Sequence, residues 1–267
     1  MDNQDINFNS GENNVSLSKE KSTFIPGGRA VGAGAATEWI GNAWEMFKAN
    51  PMKWVLITLV YVAILVVLSL IPLVNFISGL FGSAFIAGFI TAAEKQRATG
   101  DFEIDLLFHG FKNKLGSLIA VSALYLGIYI LGAVAAVLIV GVGAIESLSS
   151  APELLINSSS SFILAGLVFL TFNIIALAFA WFAPALIIIN DLKFGEAISM
   201  SLNAVKKNQL GGFLFFLLMG ILMAISMIPL FLGLIVTVPM MMVAYYTTYR
   251  SIFYAPEEKE IKSSLIS

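Results

Sequence analysis

The chain has no cysteine and one histidine, His109. Disulfides, thiolate metal sites and cysteine nucleophiles are therefore excluded, and a lone imidazole leaves little for metal chemistry. Charge is scarce as well: Asp, Glu, Lys and Arg make up 12% of the 267 residues, with a formal net charge of -2. No Lys/Arg block accompanies aromatics, so a nucleic-acid partner is not expected. The pattern of missing charge says more than the total. Six apolar runs, residues 54–71, 73–93, 115–143, 162–189, 213–228 and 230–249, hold no Asp, Glu, Lys, Arg or His. Ion-coupled pumps and proton relays place ionisable groups inside their spans, so an active pump is disfavoured. The chain also starts acidic, with Asp2 and Asp5, and lacks the basic start of a cleavable signal peptide.

What fills the chain is apolar: 58% of residues are hydrophobic and the mean hydropathy is +0.88, more than one soluble core could bury. Each run is long enough to cross a hydrocarbon core of about 30 Å. The predicted fold is an all-α, polytopic membrane bundle of about six transmembrane helices in three hairpins, with Pro72 and Pro229 at two of the turns.

Three polar interludes precede the hairpins, and each is predicted to form an amphipathic interfacial helix. In residues 37–50, Trp39, Ile40, Ala43, Trp44 and Phe47 share one helical face opposite Glu38, Asn42, Glu45 and Lys48. Two tryptophans on such a face suit the headgroup boundary, where an indole buries its ring and keeps its N–H wet. In residues 94–114, Leu107, Phe108, Phe111 and Leu115 form a similar stripe. In residues 191–208 the stripe is Phe194, Ala197, Ile198, Leu202 and Val205. The first and third units repeat: Lys48, Asn50 and Ile71–Pro72 mirror Lys206, Asn208 and Ile228–Pro229.

All 15 Lys and Arg lie before residue 54, within 94–114 or 191–208, or after residue 249. The excess of bases stays on the cytoplasmic side, so both termini are expected there, in the inner membrane of a bacterium. Residues 1–36 read as a disordered cytoplasmic tail, 37–254 as the transmembrane domain and 255–267 as a second cytoplasmic tail. Within the first tail, GGRAVGAGAA (27–36) follows no strand, so it reads as a flexible linker rather than a dinucleotide loop.

No residue set suggests catalysis, a cofactor or a metal. The polar and interfacial candidates are Asn75, Asn173, Pro184, Asn190, Asp191 and Asn208. Asn75 and Asn173, with Thr171, Ser226, Tyr125 and Tyr129, could bond between helices. Asn190 and Asp191 could cap the helix that follows them. Gly79/Ser83/Ala87, Gly132/Ala136 and Gly220/Ala224 are candidates for close helix approach. His109 reads as polar surface.

Five stretches carry a resemblance: GRAV (28–31) followed by Trp39, Trp44, Phe47, Pro51 and Trp54; DLLFHGF (105–111); WFAPALIIIND (181–191); EAISMSLNAVKKN (196–208); and Pro239, Tyr245 and YRSIF (249–253). Together they resemble an uncharacterised proteobacterial inner-membrane family, itself similar to the membrane domain attached to some glycerophosphodiester phosphodiesterases. The resemblance implies a six-helix bundle with cytoplasmic interfacial helices and no established activity. It does not imply phosphodiesterase chemistry, because the barrel with His and acidic metal ligands is absent. The expected function is non-enzymatic organisation of the envelope or partner binding, with a transporter or lipid-handling channel as the alternative. The bilayer is the expected partner, together with a membrane protein or a second copy of the chain.

Overall fold

The computed structural model describes residues 23–71, 78–149 and 155–255. Among these the chain is all-helical, and β-pairing is limited to one antiparallel bridge between Phe24 and Tyr254. The helices are α1 (Ala35–Ala49), α2 (Pro51–Ser69), α3 (Gly82–Thr99), a single turn α4 (His109–Lys112), α5 (Leu115–Ser149), α6 (Leu155–Ala180), α7 (Ala183–Asn190), α8 (Phe194–Lys207), α9 (Gln209–Met227) and α10 (Leu234–Phe253). Helices close their backbone hydrogen bonds internally, which is the condition for crossing hydrocarbon.

Four stretches are long and apolar enough to cross a membrane: Pro51–Ser69, Leu115–Val142, Ser160–Asn190 and Gln209–Met227. The other two expected runs fall on α3 and α10, which differ in kind. α3 is small-sided, with Ala84, Ala87, Gly88, Ala92 and Ala93 all buried, and it ends in Glu94, Lys95 and Arg97. α10 is buried along most of its second half, from Val243 to Tyr249. These two helices form the centre, and α1, α2 and α9 pack on α10. The four apolar stretches bury little. Their outward faces carry Leu59, Val66, Val137, Leu138, Phe162, Ile163, Phe213 and Ile225, each more than half exposed. Continuous apolar surface of this extent needs hydrocarbon as its solvent.

α5 and α6 form an antiparallel hairpin that touches the rest of the protein mainly at its base. Among the described side chains of α5, burial is confined to Leu118, Val121 and Ser122. Gly132 allows the close approach: a Cβ there would lie 2.6 Å from Cβ of Phe172. Gly220, by contrast, faces open space, so the small-residue contact expected at Gly220/Ala224 is not a helix seam.

The interludes depart most from expectation. Residues 94–114 are not one helix. α3 continues through Glu94 to Thr99 and stops at Gly100, whose φ of 84° makes the left-handed cap. The chain then returns along α3 through a 3-10 turn (Ile104–Phe108) and α4. A Cβ on Gly88 would sit 2.2 Å from the carbonyl oxygen of Leu107, and one on Gly110 would sit 2.3 Å from that of Ala84. The predicted stripe is present, but it packs on α3: Leu107 is buried, Phe111 and Leu115 are half-buried, and only Phe108 is exposed.

The apolar run at 162–189, expected as one span, breaks at Trp181–Phe182. The amide of Phe182 should donate to the carbonyl of Ala178 one turn back. Instead Ser201 Oγ from α8 stands between them, accepting from Phe182 N–H (3.1 Å) and donating to Ala178 O (3.0 Å). A side chain inserted into the i to i−4 ladder is a recognised cause of kinks. Pro184, in the first turn of α7, adds a position with no N–H to offer.

The stretch expected to be a flexible linker is an ordered strap. Ile25 N–H donates to Phe253 O, Arg29 N–H to Ile252 O and Arg29 Nε to Ser251 O. Lys207 Nζ donates to the carbonyls of Gly27 and Gly28. Gly28 has φ of 67°, and a Cβ there would meet Ile252 Cγ2 at 2.8 Å. Both the turn and the contact require glycine.

Candidate functional site

Polar side chains gather where α3, α7 and α10 end. On α3, the Glu94 carboxylate accepts from Arg97 Nη2 and from the Tyr246 hydroxyl, both at 2.6 Å, while Arg97 Nε donates to Tyr246 Oη at 3.1 Å. Burial pushes the Glu94 carboxyl up. The hydrogen bonds from Arg97 and Tyr246 and the charges of Arg97 and Arg250 outweigh that and hold it below the ordinary carboxylate range. One turn further along α10, Tyr249 Oη donates to Asn190 Oδ1 at 2.5 Å, and Asn190 Nδ2 donates to Tyr254 Oη at 3.0 Å. The Arg250 guanidinium lies 3.8 Å from the centre of the Tyr254 ring, a cation–π contact.

Around this centre, further pairs tie in α1 and α2. Trp54 Nε1 donates to Gln96 Oε1 (2.7 Å), and Gln96 Nε2 donates to the carbonyl of Met46 (2.7 Å). Lys53 pairs with Asp101 at 2.5 Å and Lys95 with Glu103 at 2.7 Å. Five helices therefore converge on one polar layer in which the groups bond to one another. No cluster of metal-ligating side chains occurs among the described residues.

The predicted polar positions divide. Asn190 sits in the layer. Asp191 does not cap the following helix; with φ of 57° it ends α7 and forms an ion pair with Lys114. The cap of α8 comes from Glu196, whose carboxylate accepts from Lys193 N–H. Asn208, buried, clamps the strap: Oδ1 accepts from Val31 N–H and Nδ2 donates to Arg29 O, both at 2.9 Å. Among the described residues, Asn173, Thr171 and Ser226 make no bond between helices. Each donates to the carbonyl four residues back in its own helix. Pro184 lines a cavity beneath the layer. Asn75 lies outside the described residues, as does Pro72. Trp39, expected at the headgroup boundary, is 2% exposed against Phe215, and its indole N–H has no partner among the described residues. Trp44, by contrast, is 40% exposed.

Sequence reasoning overlooked Gln96, Ser201, Tyr249 and Tyr254. The tyrosines left a signal: Tyr245, Tyr246 and Tyr249 crowd the end of an otherwise aliphatic run, where a polar tip needs a partner when buried. Gln96 and Ser201 carried none, since their partners lie 42 and 23 residues away in sequence.

The cavity is about 400 Å³, walled by α2, α3, α5, α6, α7 and α10. The tilted Trp181–Tyr245 pair, with ring centres 4.6 Å apart, closes one side, and the bonded pair Ser83–Ser122 forms another. The chain matches no protein-family model, no curated protein and no solved structure.

Proposed function

We propose that this multi-pass membrane protein is a non-enzymatic organiser in a bacterial inner membrane, with both termini cytoplasmic, that holds a membrane-protein partner or a second copy of itself. The observation that carries the reading is the polar layer. Its Glu94, Arg97 and Asn190 are committed to bonds between helices, the arrangement of a fastening rather than of a reaction centre. The orientation rests on the bases, and among the described residues Lys53, Lys95, Arg97 and Lys114 pair at helix ends. On this reading α3 and α10 complete a six-helix bundle. α1 and α8 lie along the cytoplasmic face of the bilayer, with Trp44 and the half-buried Ile198 and Leu202 toward lipid. The likeness to an inner-membrane family related to phosphodiesterase membrane domains belongs to the same proposal.

Two measurements test it. Single cysteines at Thr99 and Asn203, both exposed, should resist an impermeant thiol reagent added outside, whereas one at Ser150 should react. Labelling at Asn203 from outside would reverse the orientation. Pull-down of the native complex should yield a stable partner or a second copy; turnover of a lipid or phosphodiester by the purified chain, lost on changing Glu94, would sink the non-enzymatic reading. A lipid-handling role is favoured by one observation, the cavity.

A further inference from the structure

We infer that the cavity binds the acyl chain of a glycerolipid, with the chain's ester carbonyl accepting hydrogen bonds from the aromatic donors around it. The inference goes beyond the organising role and does not depend on it.

Three features select this ligand. The first is size and access. About 400 Å³ falls within the roughly 300–1,000 Å³ of ordinary ligand pockets. The walls belong in part to α2, α5 and α6, whose outer faces are bare apolar surface, so a chain already dissolved in the bilayer reaches the site without crossing water. Tyr125 and Trp181 are only half-buried, which leaves the cavity open on their side.

The second feature is charge. Among the described residues no Asp, Glu, Lys, Arg or His lines the cavity, which disfavours an ion or an anionic headgroup inside it. Met241 and Met242 line the α10 side, and unbranched thioethers adapt to a flexible chain as branched aliphatics do not.

The third feature identifies the oxygen. Tyr61 and Tyr125 hydroxyls and the Trp181 indole N–H belong to residues that line the cavity and make no hydrogen bond to any described residue, whereas the Tyr245 hydroxyl is sealed from the cavity and is not one of these donors. Ser83 and Ser122, at the same wall, do satisfy each other. Hydrocarbon offers these donors nothing. A purely aliphatic ligand would leave them unpaired, whereas an ester carbonyl is an acceptor without charge, carried at the head of an apolar chain.

The full chain, reconstituted in nanodiscs of phosphatidylethanolamine and phosphatidylglycerol, is photolysed with a phospholipid bearing a diazirine in its acyl chain, and adducts are mapped by mass spectrometry. Adducts are expected on cavity residues Tyr125, Met241 and Met242, besides the background on bare positions such as Val137 and Leu138. Gly82 lines the cavity, and a Cβ there meets nothing within 4 Å. Gly82→Leu should therefore abolish the cavity adducts and leave the background unchanged. Replacing the ester probe with its ether-linked counterpart, which has no carbonyl, should also weaken cavity labelling selectively. Cavity adducts that survive Gly82→Leu, or no cavity adducts at all, would overturn the site. Equal labelling by ester and ether probes would overturn the assignment of the carbonyl. If Gly82→Leu fails to fold, the ester and ether comparison on the unchanged chain decides the carbonyl, and non-denaturing mass spectrometry decides the site, where an empty protein is the refuting result.

Discussion

Ser201→Ala is the most direct test of how the kinked span is held. The Ser201 hydroxyl is fully buried and serves two groups at once, the amide of Phe182 and the carbonyl of Ala178. Removing it presents the chain with two poor choices. If the kink stays, a buried N–H and a buried C=O lose their partner, at about 1–3 kcal/mol for an orphaned group. If the helix closes its own bond across the gap, α7 swings away from α3 and α8, which it packs against, and apolar contacts are lost instead. Hydrogen bonds between membrane helices average about 0.6 and reach about 1.7 kcal/mol, because the unfolded reference also finds partners. Ser201 makes two bonds at a site with no exposure, so we expect a loss of about 2 kcal/mol, equivalent to roughly 4–8 °C in melting temperature for a domain of this size. The assay is the fraction of monodisperse protein surviving a heat ramp in detergent, with the exposed Ser199→Ala as the control. If the two variants melt together, within about a degree of the parent, the inserted hydroxyl does not hold the kink.

Gly88→Val should sharply reduce membrane abundance, because its Cβ meets a backbone carbonyl that cannot step aside and overpacking costs about 1–3 kcal/mol or more; Gly220→Ala, in open space, should be neutral or slightly stabilising. Equal abundance of the two would refute the α3 contact. Asn208→Ala removes the acceptor of Val31 N–H, at about 1 kcal/mol for each bond lost, and amide exchange across residues 25–34 should accelerate while α10 stays protected. Unchanged exchange would mean that the strap is held elsewhere. Glu94 has a folded-state pKa lowered from 4.5, so its contribution to stability is present above that value and lost as pH falls below it. Glu94→Gln should flatten the acid limb of the melting-temperature profile; an unchanged limb would assign acid sensitivity to another group.

How much was legible depended on the range of each interaction. Membrane character, helicity and the apolar runs follow from composition and from stretches without charge, which are local properties. The Pro229 turn was equally local, since proline acts on its own and the preceding residue. The amphipathic stripes were visible too, but a stripe says only that a face is apolar. Tertiary structure decided what covers it: α10 and α9 cover Trp39, and α3 covers Leu107. GGRAVGAGAA shows why composition misleads here. Glycine favours a flexible linker when nothing contacts it, yet the same lack of a side chain lets Gly28 approach Ile252 and run as a strap beneath Asn208. Polar residues in the spans were similarly open, because Asn173, Thr171 and Ser226 can bond across to a neighbour or back to their own helix. They took the near carbonyl. Ser201 had its partners in another helix, and the kink they make depends on α8 packing beside α6 and α7, a placement that no window of sequence around Trp181 contains.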